Sequence, residues 1–444
     1  MIQFFKSLYL HSRFFVYIAG ISSVFVLSYW FEALYQLAWM LVWLLSIAFI
    51  IDLIILFRFK KGVKGNRIVS EKLSNSDENS VHVQLENNYP FDVFTTVIDE
   101  LPYQFQKRDF HFDVNLKTSD KTTFSYTVRP VERGEYQFGK LNVYVSSILR
   151  VVGRRYTFSE EENVKVYPSY IQMKKYEFMA MNNKLTEFGL KKIRRIGHTM
   201  EFEQIKNYIP GDDVRTINWK ATAKKAALMV NQYQDEKSQP IYSIIDLGRV
   251  MKMPFEELKL LDYAINSTLA FSNIALLKND KAGMITFGKK VEKIVPASNK
   301  KTNLHLLNEE LYHTNTNFSD SSFALLNATV KRKINQRSLL LLYTNFEHIS
   351  ALKRQLPYLK SIAKKHLLVT IFFENTELDN LISEKVEDLQ EVYHKTIAEK
   401  YAYEKRLMVK ELEKNGLNAI LTKPQHLSVN VINKYLEFKA KGMI

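Results

Sequence analysis

Two apolar runs open the chain, Phe14 to Phe31 and Ala33 to Phe57, and the second carries only Gln36 and Asp52 as strongly polar members. Each holds about 18 to 25 residues, enough to span a bilayer as a helix. Little more than Glu32 separates them, so the pattern predicts two membrane helices that turn back tightly and leave both flanks on one side. From Ile68 to Pro168 the pattern changes to short alternating runs, among them Val81 to Leu85, Phe91 to Val97, Phe110 to Leu116, Thr122 to Arg129 and Leu141 to Val145. The breaks at Asn87-Asn88, Thr118-Ser119-Asp120 and Arg133-Gly134 are turn chemistry at the spacing of a small antiparallel β-sandwich. Beyond Pro240, strand-like and helix-like pieces alternate, which predicts an α/β domain, doubly wound, with a parallel sheet covered on both faces. Its strands are expected at Ile241 to Ile245, Ala282 to Phe287, Ser338 to Tyr343, Leu367 to Phe373 and Leu417 to Leu421, with Val291 to Val295 as a hairpin partner. A long charged helix is expected from about Leu381 to Lys414.

A length of 444 residues exceeds what one core usually serves. The expected division is a transmembrane anchor with a basic juxtamembrane run (1–67), a β-sandwich-like domain (68–168), a connecting segment (169–239) and the α/β domain (240–444). Lys6 and Arg13 precede the first apolar run, and Arg58, Lys60, Lys61, Lys64 and Arg67 follow the second, whereas the loop between has no basic residue. The positive-inside rule then places both termini in the cytoplasm, as in a multi-pass protein of a bacterial inner membrane. Asp52, near the inner end of the second run, is read as lying by the headgroups or pairing with Arg58, with a proton-relay or helix-pairing group as the alternative. The net charge of +15 fits anionic headgroups; with no nucleic-acid module in the pattern, no nucleic-acid partner is expected. The absence of cysteine excludes disulfides, thiolate metal sites and a catalytic thiol.

The most distinctive stretch joins the sandwich to the α/β domain. It runs Arg194-Arg195-Ile196-Gly197, then Glu201-Phe202-Glu203, then Tyr208-Ile209-Pro210-Gly211-Asp212-Asp213-Val214-Arg215-Thr216-Ile217-Asn218-Trp219. Pro210-Gly211 suits a type II turn, with Asp212 and Asp213 bracing it. Arg215 is placed to pair with one of those carboxylates or with Glu201 or Glu203, and Trp219 offers a large anchor with one donor. These residues, with Asn218, read first as a structural clasp and second as a partner or ligand site.

This string resembles the signature of the domain-of-unknown-function fifty-eight family. The resemblance continues through Lys220 to Ala223, Val230-Asn231, Glu236 and Asp246-Leu247-Gly248-Arg249. It implies a C-terminal part similar to a von Willebrand factor A domain, in which an Asp-x-Ser-x-Ser loop, a distant Thr and a further Asp often hold Mg²⁺. Asp246 matches the first Asp, but Gly248 and Val250 replace the serines, Thr316 stands as the distant Thr, and Asn345 replaces the last Asp. The expected metal site is therefore degenerate and empty. The resemblance also implies partners: a MoxR-type AAA+ ATPase and other von Willebrand A membrane proteins.

No phosphate loop, dinucleotide fingerprint, His-Glu-x-x-His or nucleophile elbow occurs. His198, His305, His313, His348 and His366 are scattered and read as surface or capping residues. The charged helix before Gly416 reads equally as a solvated face or a docking surface. The expectation is a non-enzymatic membrane-anchored scaffold in chaperone-like assembly or envelope stress. Its alternative is a hydrolase or metal-dependent enzyme using Glu201, Asp212 and Asp213.

Overall fold

The computed structural model describes residues 2–159, 161–181, 201–210, 212, 214–234, 238–383 and 388–444. The chain forms two compact units, Met1–Tyr167 and Pro168–Ile444.

The first unit opens with α1 (Ile2–Ser7), β1 (Leu8–Leu10), α2 (Ser12–Leu27) and α3 (Ala33–Phe57). Strands follow: β2 (Val63–Ile68), β3 (Lys72–Ser74), β4 (Asn79–Asn87), β5 (Val93–Asp99), β6 (His111–Leu116), β7 (Lys121–Val128), β8 (Gly134–Phe138), β9 (Leu141–Ser146), β10 (Val152–Phe158) and β11 (Glu162–Tyr167). They form a five-stranded sheet β1-β10-β9-β5-β6 and three-stranded sheets β2-β4-β7 and β3-β11-β8. Alternation decides their faces: along β4 the odd positions Val81, Val83 and Leu85 are buried while Ser80, His82 and Gln84 face solvent. The main core joins those residues to Val93, Val97, Val143 and Val145 of the larger sheet.

α3 is long and apolar enough to cross a membrane and buries little of itself; α2 is a shorter apolar helix packed beside it through Phe14–Phe49 and Phe25–Trp39 ring contacts. These apolar helices mark a membrane-associated protein. The boundary expected after residue 67 falls inside β2, because Arg67 is a sandwich residue. It was read as a juxtamembrane cation, yet it is 5% exposed and pairs with Asp99 at 2.7 Å, whose other oxygen accepts from the Tyr126 hydroxyl.

The second unit comprises α4 (Tyr170–Met181), β12 (Glu201–Asn207), α5 (Trp219–Lys225), β13 (Met229–Gln234), β14 (Pro240–Asp246), the short pair β15 (Pro254–Phe255) and β16 (Leu258–Lys259), and α6 (Leu260–Leu277). Next come β17 (Lys281–Phe287), β18 (Val291–Ser298), α7 (Lys301–His313), α8 (Phe323–Lys333), β19 (Leu339–Tyr343), α9 (Ile349–Ala363) and β20 (Leu367–Phe373). The last elements are α10 (Thr376–Ser383), α11 (Leu389–Lys414), β21 (Asn418–Thr422) and α12 (Leu427–Ala440). The six-stranded sheet has the order β18-β17-β14-β19-β20-β21 and is parallel apart from β18.

One face of this sheet packs on α6, α7 and α12, the other on α8, α9 and α11. Both faces are covered, which is why β14 and β19 read as continuous apolar runs rather than alternating ones. α6 satisfies the same hydropathy test as a membrane span but is mostly buried, as the central helix of this core. The helix expected over 381–414 is two helices, α10 and α11. His366, read as a surface or capping residue, is buried against the sheet instead, and that burial lowers its imidazole pKa.

Candidate functional site

The C-terminal edge of the six-stranded sheet gathers the residues expected to hold a metal. Asp246 ends β14 fully buried, and its carboxylate is spent on three donors: Ser321 Oγ, Thr344 Oγ1 at 2.6 Å and the Gly248 amide at 2.8 Å. Burial pushes its carboxyl above the usual range, and the three donors pull the other way. A Cβ at Gly248 would meet Ser321 Oγ at 2.2 Å and Asp246 Oδ1 at 2.9 Å. The missing serine is thus replaced in space by one from the segment before α8, a substitution with no signature in the local string.

Thr316 donates to the Leu247 carbonyl at 2.7 Å and accepts from the Phe318 amide at 3.0 Å, so its hydroxyl is directed at backbone rather than at Asp246. Asn345 is drawn elsewhere again. Its Oδ1 accepts from Lys405 Nζ at 2.6 Å, and the same ammonium donates to the Phe346 carbonyl at 2.5 Å. Asp246 thus bonds hydroxyls and an amide, Thr316 bonds backbone, and Asn345 bonds an ammonium. Among the described residues, no three His, Cys, Asp or Glu side chains come together to hold a metal ion.

Lys405 is the residue that sequence reasoning missed, since it was read as part of a charged helix face. Its burial lowers the ammonium pKa from 10.5 to about 8, with Glu347 holding it up in part. It lines a cavity of about 560 Å³ at the sheet edge. Met253, Phe255, Phe373 and Tyr401 give this cavity an apolar body, and Glu347, Glu374, His348 and Arg406 give it a charged rim. The volume suits a small ligand or a few side chains of a partner.

The β12–β13 hairpin carries the distinctive motif. The Asp212 amide donates to the Ile209 carbonyl at 2.9 Å, closing a turn through Pro210. The Asp212 carboxylate accepts from the Ile209 amide and from Lys206 Nζ, both at 3.0 Å, which holds its pKa below the usual range. Asn218 caps α5 by accepting from the Ala221 amide at 3.0 Å, and its Nδ2 donates to Asn231 of β13 at 2.8 Å. Arg215 lies at the surface in the short turn Val214–Thr216. Trp219, expected as an anchor, begins α5 with 69% of its surface exposed, alongside exposed Ile209, Val214 and Leu228. Gly211, Asp213, Glu236 and residues 182–200, including His198, lie outside the described residues, as do the side chains of Glu201 and Glu203.

Residues 204–386 match the family model described as Protein of unknown function DUF58. The DUF58 match takes in the hairpin, the motif and the sheet as far as α10. The uncharacterized protein YeaD of Bacillus subtilis (strain 168) is 25% identical over 260 residues, 56% of this chain. The match spans 62% of that relative's length. Among solved structures, an aerotolerance-related membrane protein from Bacteroides fragilis NCTC 9343 is 12% identical, with 44% of this chain and 98% of that one covered, at a TM-score of 0.31. The conserved hypothetical protein BatB from Bacteroides thetaiotaomicron is 13% identical, covering 45% and 98%, also at 0.31. At that level of likeness neither structure bears on the function of this chain.

Proposed function

We propose that this chain is a non-enzymatic membrane-anchored scaffold whose von Willebrand A-like domain presents a protein-binding surface to the cytoplasm. Its partner is a MoxR-type AAA+ ATPase acting in chaperone-like assembly or envelope stress, together with other von Willebrand A membrane proteins. The observation that carries this reading is the sheet edge. Asp246 is bonded by Ser321, Thr344 and Gly248, and a cavity of about 560 Å³ with an apolar body and a charged rim opens at the same sheet edge, lined by Asn345 and Lys405. Crevices beyond strand ends are where open α/β sheets receive ligands. The motif hairpin adds a second exposed apolar surface in Ile209, Val214 and Trp219.

Two membrane crossings, with both termini in the cytoplasm, complete the reading. β1 precedes the apolar helices and β10 follows them, yet the two are paired in one sheet. That pairing supports an even number of crossings between them, for which α2 and α3 are the candidates.

The test is affinity purification of the tagged full-length protein in mild detergent, comparing wild type with Tyr401→Ala in the cavity and Trp219→Ala on the hairpin. Recovery of an AAA+ ATPase from wild type, reduced in either variant while both stay folded, is expected. Failure to recover one from wild type, even with a nucleotide that traps the ATPase in its bound state, would sink the partner.

A further inference from the structure

The β9–β10 loop, residues 147–150, carries Ile148 and Leu149 at its tip, 71% and 41% exposed. Exposed side chains of this size are commonplace singly, but their placement here is not arbitrary. β1 runs antiparallel to β10, with Leu8 opposite Arg154 and Leu10 opposite Val152, and β10 runs antiparallel to β9. β1 and β9 therefore leave the sheet in the same direction. The His11 amide donates to the Val151 carbonyl at 3.2 Å, and α2 begins at the next residue, so its first turn departs beside the loop and along the loop's own projection.

α3 fixes the same level from the other side. Asp52 accepts from Ser147 Oγ, from the Val151 amide at 3.1 Å and from the Val152 amide at 2.8 Å, gripping both ends of the loop. From Ala33 to Ile51 the helix rises about 28 Å, close to the thickness of a hydrocarbon core. Asp52 then stands at its boundary, holding both ends of the loop there, while Ile50 and Ile51 of α3 and Phe15 of α2 are exposed nearby along their helices. Arg150, with φ at 51°, turns the chain back and lays its guanidinium over the Phe94 ring, 3.5 Å from the centroid. A cation braced in this way suits the headgroup layer.

We propose that Ile148 and Leu149 insert into the acyl boundary of the bilayer, making the β9–β10 loop a third membrane contact beside α2 and α3. This rests on the two-crossing anchor proposed above. The occupant of the apolar tip is lipid because the tip continues the apolar surface of the helices to which it is bonded.

The chain has no cysteine, so single reporters are clean. The full-length protein is prepared as Ile148→Cys, as Ile50→Cys within α3 and as Tyr103→Cys at the opposite end of the sandwich, where Tyr103 is 86% exposed. Each is labelled with an environment-sensitive fluorophore in phosphatidylethanolamine–phosphatidylglycerol vesicles carrying lipids spin-labelled on the upper acyl chain. Quenching at position 148 within about twofold of that at position 50, and several-fold above that at 103, is expected. Quenching at 148 no greater than at 103, while position 50 is quenched, would overturn the loop insertion alone. Loss of quenching at position 50 as well would refute the anchor and this proposal with it.

Discussion

Replacing Asp52 by alanine strips the acceptor from two buried backbone amides, Val151 and Val152, and from the Ser147 hydroxyl. Hydrogen bonds to a charged acceptor contribute about 1.5–3 kcal/mol each, and the stranded amides keep their desolvation cost. The two amide bonds together are worth about 3–6 kcal/mol of local opening, at about 1.4 kcal/mol per tenfold. Hydrogen exchange of the Val151 and Val152 amides, followed by mass spectrometry on full-length protein in nanodiscs, should accelerate about a hundredfold to ten-thousandfold. Asp52→Asn separates geometry from charge. Both amides donate to the same oxygen, Oδ2, so an asparagine can keep that acceptor and donate from its Nδ2 to Ser147 Oγ. Its exchange should rise only about tenfold, the cost of lost charge assistance. If Asp52 were merely an ionisable burden at membrane depth, alanine would leave these amides as protected as before or more so. That result, or an Asn variant as open as the Ala variant, would refute the reasoning.

Lys405 makes stability depend on pH in a defined window. Its pKa is about 8 in the fold against 10.5 for the ordinary side chain, so below pH 8 both states are charged and the fold bears the whole burial cost. From about pH 8 to about 10.5 the folded state sheds its proton first, and stability should rise by about 3 kcal/mol; Lys405→Met, followed by denaturant unfolding across this range, should remove that rise. Gly248→Ser pushes a side chain into Ser321 and Asp246 and should cost about 1–3 kcal/mol. Thermal unfolding should show the Gly248→Ser/Ser321→Ala pair recovering part of that loss. Arg154 caps the end of α3 by donating to the Leu56, Phe59 and Lys60 carbonyls at 2.8, 2.5 and 3.2 Å, so Arg154→Ala should raise exchange of the last α3 amides at least tenfold.

Local pattern was a good guide wherever burial is periodic. β4 and β5 alternate cleanly, and β14, β19 and β20 are buried on both sides and mostly apolar because helices cover both faces. The antiparallel partner β18 was legible from its brief turn. What escaped was decided by residues far apart in sequence. Asp52 finds its partners 95 to 100 positions away, Ser321 reaches Asp246 across 75, and Lys405 reaches Asn345 across 60. Arg67 was misplaced for the same reason: in a basic run it resembles its neighbours, and only the pairing with Asp99 separates it from them. The positions singled out for a metal are legible as residues, but the hydroxyls that bond Asp246 and the ammonium that bonds Asn345 leave no trace in local spacing.

The pairing of β1 with β10 bears on how the protein is made. Strand β1 leaves the ribosome before the apolar helices, whereas β10 emerges only after nearly all of the sandwich has been synthesised. On the proposed two-crossing topology, the first strand must wait on one side of the membrane for a partner about 140 residues later. A chain inserted with one crossing would strand β1 on the far side and leave the β10 edge bare, with Val151 and Val152 exposed to mispairing. On that topology, completion of the sheet would mark a correctly inserted chain, because a misinserted copy would keep an open edge.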